Sequence, residues 1–164
     1  MQRTLEERLR ILEDQHEIAQ LQARYVDLND GGWQGPTHCQ PLAVANLFVD
    51  DGIWEGPPGC AQGREAIAEL FRSFQAIPFI VHYVTNPLIV VDGDSAHGEW
   101  HAIVTSTTPP DRGASQALWT LGKYVNDYSR TPAGWRYTRL RFAAAAITPF
   151  ELGWAKQQFL GPSI

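Results

Sequence analysis

The chain has 164 residues, a length that suits one domain with a sizeable core. Its formal net charge is −5 and no run of Lys and Arg lines a face, so nothing in it points to nucleic acid as a partner. No apolar run approaches the roughly 20 residues that a membrane span needs, and the charged, periodic N-terminus is unlike a signal peptide, so we expect a cytoplasmic protein.

The first half of the chain is predicted to be mainly helical. Apolar residues from Leu5 to Leu28 recur at three- and four-residue spacing and predict a long helix, broken near 15–16 and ended by glycines 31 and 32. The elements expected after it are a loop containing Gly35 and Pro36, a helix over 41–48, a strand over 52–55, a loop over 57–59 and a helix over 63–74.

The second half changes from helical periodicity to alternation, which is typical of strands. The elements expected here are strands over 79–91 (with a kink at Pro87), 95–108, 116–130 and 135–142, with a hairpin turn at 92–94 and a loop over 109–113. An α+β chain of this order predicts a curved antiparallel sheet wrapped around the N-terminal helices, with a cavity between sheet and helix. No repeat or linker interrupts residues 1–164, so we expect a single domain.

His82 is the first candidate for chemistry, in the middle of the strand predicted over 79–87. Ile80 and Val84 lie two residues to either side and share its face, which keeps the imidazole from bulk water. A neutral, positioned imidazole is the usual general base near pH 7. The alternative is a core histidine with one hydrogen bond, and this strand alone does not decide between them.

Asp30 and Tyr25 are candidates on the first helix. A carboxylate at a helix C-terminus is disfavoured by the helix dipole, so Asp30 needs another reason for its position, and a turn-forming Asp beside glycine is the alternative. An ideal helix would not bring Asp30 to the apolar face, so a functional role requires the helix to loosen before Gly31. Tyr25 is on the apolar face, either as core or as a hydrogen-bond donor to a cavity.

Polar residues also alternate along the strand predicted over 116–130. Tyr124, Asn126, Tyr128 and Arg130 share one face, which is too polar for a dry core and therefore fits a cavity wall. Arg130 would lie at the cavity mouth and hold an anion or a polarised oxygen. The alternative for Arg130 is a surface arginine in a salt bridge.

A metal site is not predicted. His97, Glu99 and His101 share a strand face, but positions two apart are separated by roughly 7 Å, which is too far for three adjacent ligands to converge on one ion. Of these three, only His101 is considered for the cavity. The two cysteines, Cys39 and Cys60, are expected to be free thiols.

Several motifs together are similar to one known family. They are I-x-x-L-x-x-x-Y-x-x-x-x-D at 18–30, L-F-V-D-D-G at 47–52, G-R-E-A-I at 63–67, V-H-Y-V-T-N at 81–86 and G-K-Y-V-N-D-Y-S-R at 122–130. This pattern resembles the SnoaL-like branch of the nuclear transport factor 2 superfamily, and within it scytalone dehydratase, bile-acid 7α-dehydratase and hexachlorocyclohexane dehydrochlorinase. The resemblance implies a cone-shaped α+β barrel with an internal cavity.

The resemblance also implies roles for individual residues. The Asp–His pair that removes a proton in those enzymes falls on Asp30 and His82. The tyrosine of the bile-acid enzyme falls on Tyr25, and the arginine of the last hairpin falls on Arg130. These four are the predicted catalytic residues. The predicted substrate pocket comprises Phe48, Trp54, Asn86, Trp100, His101, Tyr124, Asn126 and Tyr128.

The expected function is that of a lyase, by preference a dehydratase, which acts without metal or cofactor on a small hydrophobic cyclic substrate. An isomerase of ketosteroid type, with an Asp base, is the first alternative. A non-catalytic ligand-binding or assembly module is the second. A homo-oligomer, trimer or dimer, is expected because the outer sheet face and the segment over 150–159 offer apolar surface.

Overall fold

The structure, a computed structural model, describes residues 4–31, 39–109 and 113–160. The loop residues predicted at 32–38 and 110–112 lie outside these ranges. The elements in chain order are α1 (Leu5–Asn29), α2 (Pro41–Ala45), β1 (Phe48–Gly56), β2 (Gly59–Gln62), α3 (Arg64–Phe74), β3 (Ile80–Asp92), β4 (Ser95–Thr107), β5 (Ala117–Thr131), β6 (Gly134–Pro149) and α4 (Gly153–Lys156).

Helix α1 begins at a capping box. The Thr4 side chain accepts a hydrogen bond from the Glu7 backbone N–H, and the Glu7 carboxylate accepts one from the Thr4 N–H. The helix is continuous, so the predicted break near 15–16 is wrong. Its buried face begins at Asp14 and continues through Ile18, whereas Leu5, Leu9 and Leu12, which share the predicted apolar spacing, are exposed. Only the second half of α1 therefore packs on the sheet.

The described strands form one sheet in the order β2-β1-β6-β5-β4-β3. The sheet was predicted to be antiparallel, which holds for every pair except β1–β6, whose strands are parallel. The sheet curves around α1 and α3 as the predicted cone, but β2 and β3 remain as edges and the sheet does not close into a barrel. The predicted α+β class is confirmed.

Several elements differ from the predictions because sheet pairing overrides local sequence preference. Helix α2 ends at Ala45, since Phe48 already pairs with Tyr137 of β6. The Pro57-Pro58 turn leads into an unpredicted strand, β2, that pairs with β1. Strand β6 continues beyond residue 142 through an alanine run with low strand propensity, because that run pairs with β5.

The core lies between the concave sheet face, α1 and α3. Tyr25 of α1 is at its centre, with ring centroids 5.9–6.1 Å from those of Phe71, Tyr124 and Tyr137, in edge-to-face geometry. Within the described residues, no helix is both long and apolar enough to cross a membrane.

Candidate functional site

The end of α1 sets the position of Asp30. The helix ends at Asn29, and Asp30 has extended backbone angles (φ −70°, ψ 147°), so the helix loosens before Gly31 as the functional interpretation required. The Gly31 N–H then donates to the Ile80 carbonyl at 2.9 Å, which fixes the chain against the start of β3. This contact brings Asp30 beside His82.

Asp30 and His82 form a buried hydrogen-bonded pair. Asp30 Oδ1 lies 2.6 Å from His82 Nδ1 and also accepts the His82 backbone N–H at 3.0 Å. The two side chains are 3% and 6% exposed. A carboxylate on Nδ1 selects the tautomer with the proton there, so the lone pair is on Nε2. Asp30 can therefore orient the imidazole, and its carboxylate can stabilise the imidazolium that forms when Nε2 takes up a proton.

Asn29 is the neighbour of this pair on the other ring nitrogen. Its Nδ2 lies 3.5 Å from His82 Nε2, at the long limit of a hydrogen bond. The side chain is 3% exposed. Asn29 is not among the residues predicted from the sequence, although it follows Tyr25 by four residues and so lies on the same helical face.

Tyr25 belongs to a hydrogen-bonded cluster of aromatic side chains. Its hydroxyl accepts from Trp54 Nε1 at 3.0 Å, and it is hydrogen-bonded to the Tyr124 phenol. Burial raises the pKa of both phenols above the usual value, so both remain protonated at neutral pH. The cluster has three donor hydrogens, one on Trp54 Nε1 and one on each of the two phenols. Two of them form the hydrogen bonds within the cluster, so one phenolic O–H remains to donate to another group.

These groups meet at one cavity of about 460 Å³. His82, Asn29, Tyr25, Trp54 and Tyr124 all line it, while Asp30 lies behind His82 and is not among the lining residues. The remaining walls are largely apolar, with a few hydroxyl groups. These further lining residues, which the sequence did not identify, are Pro57, Pro58, Ser73, Phe74, Ala76, Ile77, Ile80, Val104, Ser106, Thr108, Pro109, Leu118, Thr120, Phe142, Ile147 and Leu160.

Arg130 is not part of this cavity, which corrects its predicted role. Its guanidinium donates to Asp14 at 2.7 Å and to Asp94 at 2.9 Å, and it lies 4.5 Å from the ring centroid of Trp135. Burial raises the pKa of Asp14, but hydrogen bonds from Arg130 and Trp135 outweigh this and lower it below its usual value. Arg130 therefore anchors the last hairpin to α1.

Four predicted pocket residues lie in the core instead, away from the cavity. Asn126 donates to Gln22 at 3.0 Å and to the Tyr128 hydroxyl at 3.1 Å, and Trp100 donates to that hydroxyl at 3.3 Å. Phe48 is fully buried. The polar strand face points inward as predicted, but α1 covers it at this end, so only Tyr124 of the predicted β5 wall reaches the cavity.

Two other predicted pocket residues face solvent. His101 alternates with the buried Trp100 along β4, so it points to the outer sheet face. Asn86 lies at an irregularity between Thr85 and Leu88 of β3, with a positive φ of 54°, and is exposed. Neither lines the cavity.

The outer sheet face also carries a second His–Asp pair. His97 Nδ1 lies 2.8 Å from Asp127 Oδ1, with side chains 46% and 53% exposed. Within the described residues, no group of three or more His, Cys, Asp or Glu side chains is placed to hold a metal ion. The His97 pair has the same ring nitrogen and carboxylate atoms as the Asp30–His82 pair but no cavity.

The cone-shaped sheet, the helix across it and the cavity between them define a protein of the nuclear transport factor 2-like superfamily. The chain belongs to the family of SnoaL-like domains, whose model matches residues 10–141. The resemblance seen in the sequence is therefore confirmed.

Solved structures support this assignment. An NTF2-like protein with a cystatin-like fold from Novosphingobium aromaticivorans is 32% identical, with a TM-score of 0.66 over 85% of this chain and 87% of that one. A type 2 hexachlorocyclohexane dehydrochlorinase is 21% identical, with a TM-score of 0.74 over 95% of this chain and 99% of that one. A candidate scytalone dehydratase from N. aromaticivorans is 19% identical, with a TM-score of 0.69 over 85% and 89%.

The last two similarities establish the fold alone, because their identities are low. The chain thus has a SnoaL-like fold whose structural neighbours include a dehydrochlorinase and a candidate dehydratase. No curated protein matches the sequence.

Proposed function

We propose that the protein is a lyase that removes water from a small, hydrophobic, cyclic substrate by His82–Asp30 general-base chemistry. The observation that carries the proposal is the 2.6 Å contact between Asp30 Oδ1 and His82 Nδ1 at the wall of a 460 Å³ cavity. This contact leaves Nε2 as the basic atom on a residue that lines the cavity. The mainly apolar walls favour a ring substrate.

The proposed reaction begins with proton abstraction by His82. Nε2 takes a proton from an acidic C–H of the substrate, and the Asp30 carboxylate stabilises the imidazolium that forms. The electron pair of the C–H bond becomes the new double bond as the C–O bond to the hydroxyl breaks. The imidazolium returns its proton to the departing oxygen, which leaves as water, so His82 ends neutral.

Tyr25 has a hydrogen-bonding role in this scheme. Burial raises the pKa of the Tyr25 phenol, which opposes formation of a phenolate. We therefore assign its cluster with Trp54 and Tyr124 to donating one hydrogen bond to a substrate oxygen, and not to transferring a proton. These steps use side chains alone, so the proposed mechanism needs neither metal nor cofactor.

A specific observation favours His82 over Asp30 as the base. Asp30 is not among the cavity-lining residues, and its Oδ1 already accepts two hydrogen bonds from His82. An isomerase of ketosteroid type, with an Asp base, would need a carboxylate in contact with the substrate. This alternative is therefore less well supported than the lyase.

Product analysis tests the proposed reaction. Incubation with a panel of hydroxylated polycyclic compounds, followed by mass spectrometry, is expected to give a product lighter by one water and containing a new double bond. An unchanged mass with a migrated double bond would point to the isomerase. Binding of panel compounds without any conversion would support the non-catalytic module.

We also propose that the protein is a homo-oligomer, a dimer or a trimer, in the cytoplasm. Tyr83, Val90 and Ile103 expose 52%, 59% and 41% of their surface on the outer sheet face, and Phe150 and Trp154 expose 59% and 58%. Apolar surface of this extent is usually covered by a partner. Light scattering after gel filtration is expected to give two or three times the 18.3 kDa chain mass, and a monomeric mass at micromolar concentration would contradict the proposal.

A further inference from the structure

The carboxamide of Asn29 has an unsatisfied acceptor beside the proposed base. Asn29 lines the cavity and is 3% exposed. Its Oδ1 is buried and has no hydrogen-bond partner among the described residues. A buried amide oxygen without a partner loses the hydrogen bonds that water would give it, so such groups are uncommon in folded proteins.

The other half of the amide is close to His82. Asn29 Nδ2 lies 3.5 Å from His82 Nε2, so the amide nitrogen faces the imidazole and the oxygen is directed elsewhere. Because this contact is long, it leaves the Nε2 lone pair available. A ligand that reaches Nε2 must therefore also pass within reach of the Asn29 amide.

The cavity wall restricts the charge of that ligand. Among the described residues that line it, none is Lys, Arg, Asp or Glu. A carboxylate or phosphate enclosed here would lose its hydration without gaining a counter-charge. A neutral ligand with a polar hydrogen can enter and can also satisfy the Asn29 oxygen.

We propose that Asn29 is a specificity-determining residue, whose Oδ1 accepts a hydrogen bond from a hydroxyl group of a neutral ring compound bound beside His82. That the ligand is a substrate rests on the proposed function. That Asn29 binds a hydroxyl group rests on the cavity alone. A site built to pair with a ligand hydroxyl discriminates strongly against analogues without it, because the protein group is then left buried and unpaired.

A matched pair of ligands tests the inference without any turnover. 2-Naphthol and 2-fluoronaphthalene have nearly the same shape, but only the first can donate a hydrogen bond. Equilibrium dialysis is expected to show that the wild-type protein binds 2-naphthol roughly 5- to 50-fold more tightly. Equal binding of the two compounds, or binding of neither, would overturn the inference, and this comparison does not depend on the folding of any variant.

Two substitutions assign the preference to Asn29. Asn29→Leu removes the acceptor at nearly constant volume and is expected to reduce the affinity ratio several-fold. Asn29→Asp keeps an acceptor oxygen in the same place and is expected to retain the preference. A folded Asn29→Leu protein that still prefers 2-naphthol as strongly as wild type would contradict the assignment.

The proposed lyase activity can fail independently of this result. If the His82 variant described below retains activity while Asn29→Leu loses the hydroxyl preference, the proposed mechanism is wrong and the binding inference stands. If the His82 variant is inactive and the preference does not depend on Asn29, the inference fails and the lyase proposal stands.

Discussion

His82→Gln is expected to lower the rate of the proposed dehydration by about 10²–10⁴-fold, the usual contribution of a positioned general base. Glutamine keeps much of the volume and a hydrogen-bonding group but cannot accept a proton near neutral pH. Ligand affinity should change little, because the cavity walls remain. The measurements are the turnover rate and the dissociation constant of a substrate found in the product screen.

The chain offers a matched control on its outer surface. His97→Gln changes the histidine of the exposed pair with Asp127, whose contact of 2.8 Å uses the same atoms as the buried pair. Because His97 is outside the cavity, this variant should have wild-type turnover. A well-folded His82→Gln protein that still turns over its substrate at a near wild-type rate would end the case for His82 as the base.

Turnover measured in a folded His82→Gln protein separates this interpretation from that of a core histidine. Replacement of the imidazole and its 2.6 Å contact with Asp30 is expected to lower the free energy of unfolding by about 1–3 kcal/mol whichever interpretation holds. Thermal denaturation of His82→Gln therefore serves to establish that the protein is folded at the assay temperature. The core interpretation predicts lower stability with turnover intact, and the catalytic interpretation predicts lost turnover in a folded protein.

Asp30→Asn is the variant with the second largest expected effect. It removes the negative charge that stabilises the imidazolium, and its amide N–H can donate to Nδ1 and so favour the tautomer in which Nε2 carries the proton. We expect kcat to fall by roughly 10²–10⁴-fold with KM little changed, since Asp30 is not in contact with the substrate.

Non-additivity is the further readout for Asp30. Because Asp30 acts through His82, the double variant Asp30→Asn/His82→Gln should be no slower than His82→Gln alone. Asp127→Asn provides the matched surface control and should leave kcat unchanged. Multiplicative losses in the double variant would mean that Asp30 acts independently of His82, and an unchanged kcat in Asp30→Asn would remove Asp30 from the mechanism.

The sequence predicted the architecture because its periodicity is strong and consistent. The change from helical spacing to alternation in the middle of the chain marks the boundary between helices and sheet. The hairpin turn at 92–94 is formed as predicted, with Gly93 at a φ of 60°. Boundaries were less well predicted where strand pairing decides them, as for the alanine run of β6, which local propensity alone would not make a strand.

Part of the site was also predicted from the periodicity of the sequence. Alternation correctly put Ile80, His82 and Val84 on the inner side of β3, and helical spacing put Tyr25 in the core. Alternation also directed Tyr124, Asn126 and Tyr128 inward. It could not tell which of these three lines a cavity and which is covered by a helix, because that depends on where α1 crosses the sheet.

The sequence by itself determined the fold class, the family and the inward direction of Tyr25, His82 and Tyr124. The tertiary structure alone decided which side chains meet. Asp30 and His82 are 52 positions apart and become partners because the Gly31 N–H binds the Ile80 carbonyl. Arg130 is excluded from the site because two carboxylates, 116 and 36 positions away, pair with it. Such contacts join distant segments, so no local pattern encodes them.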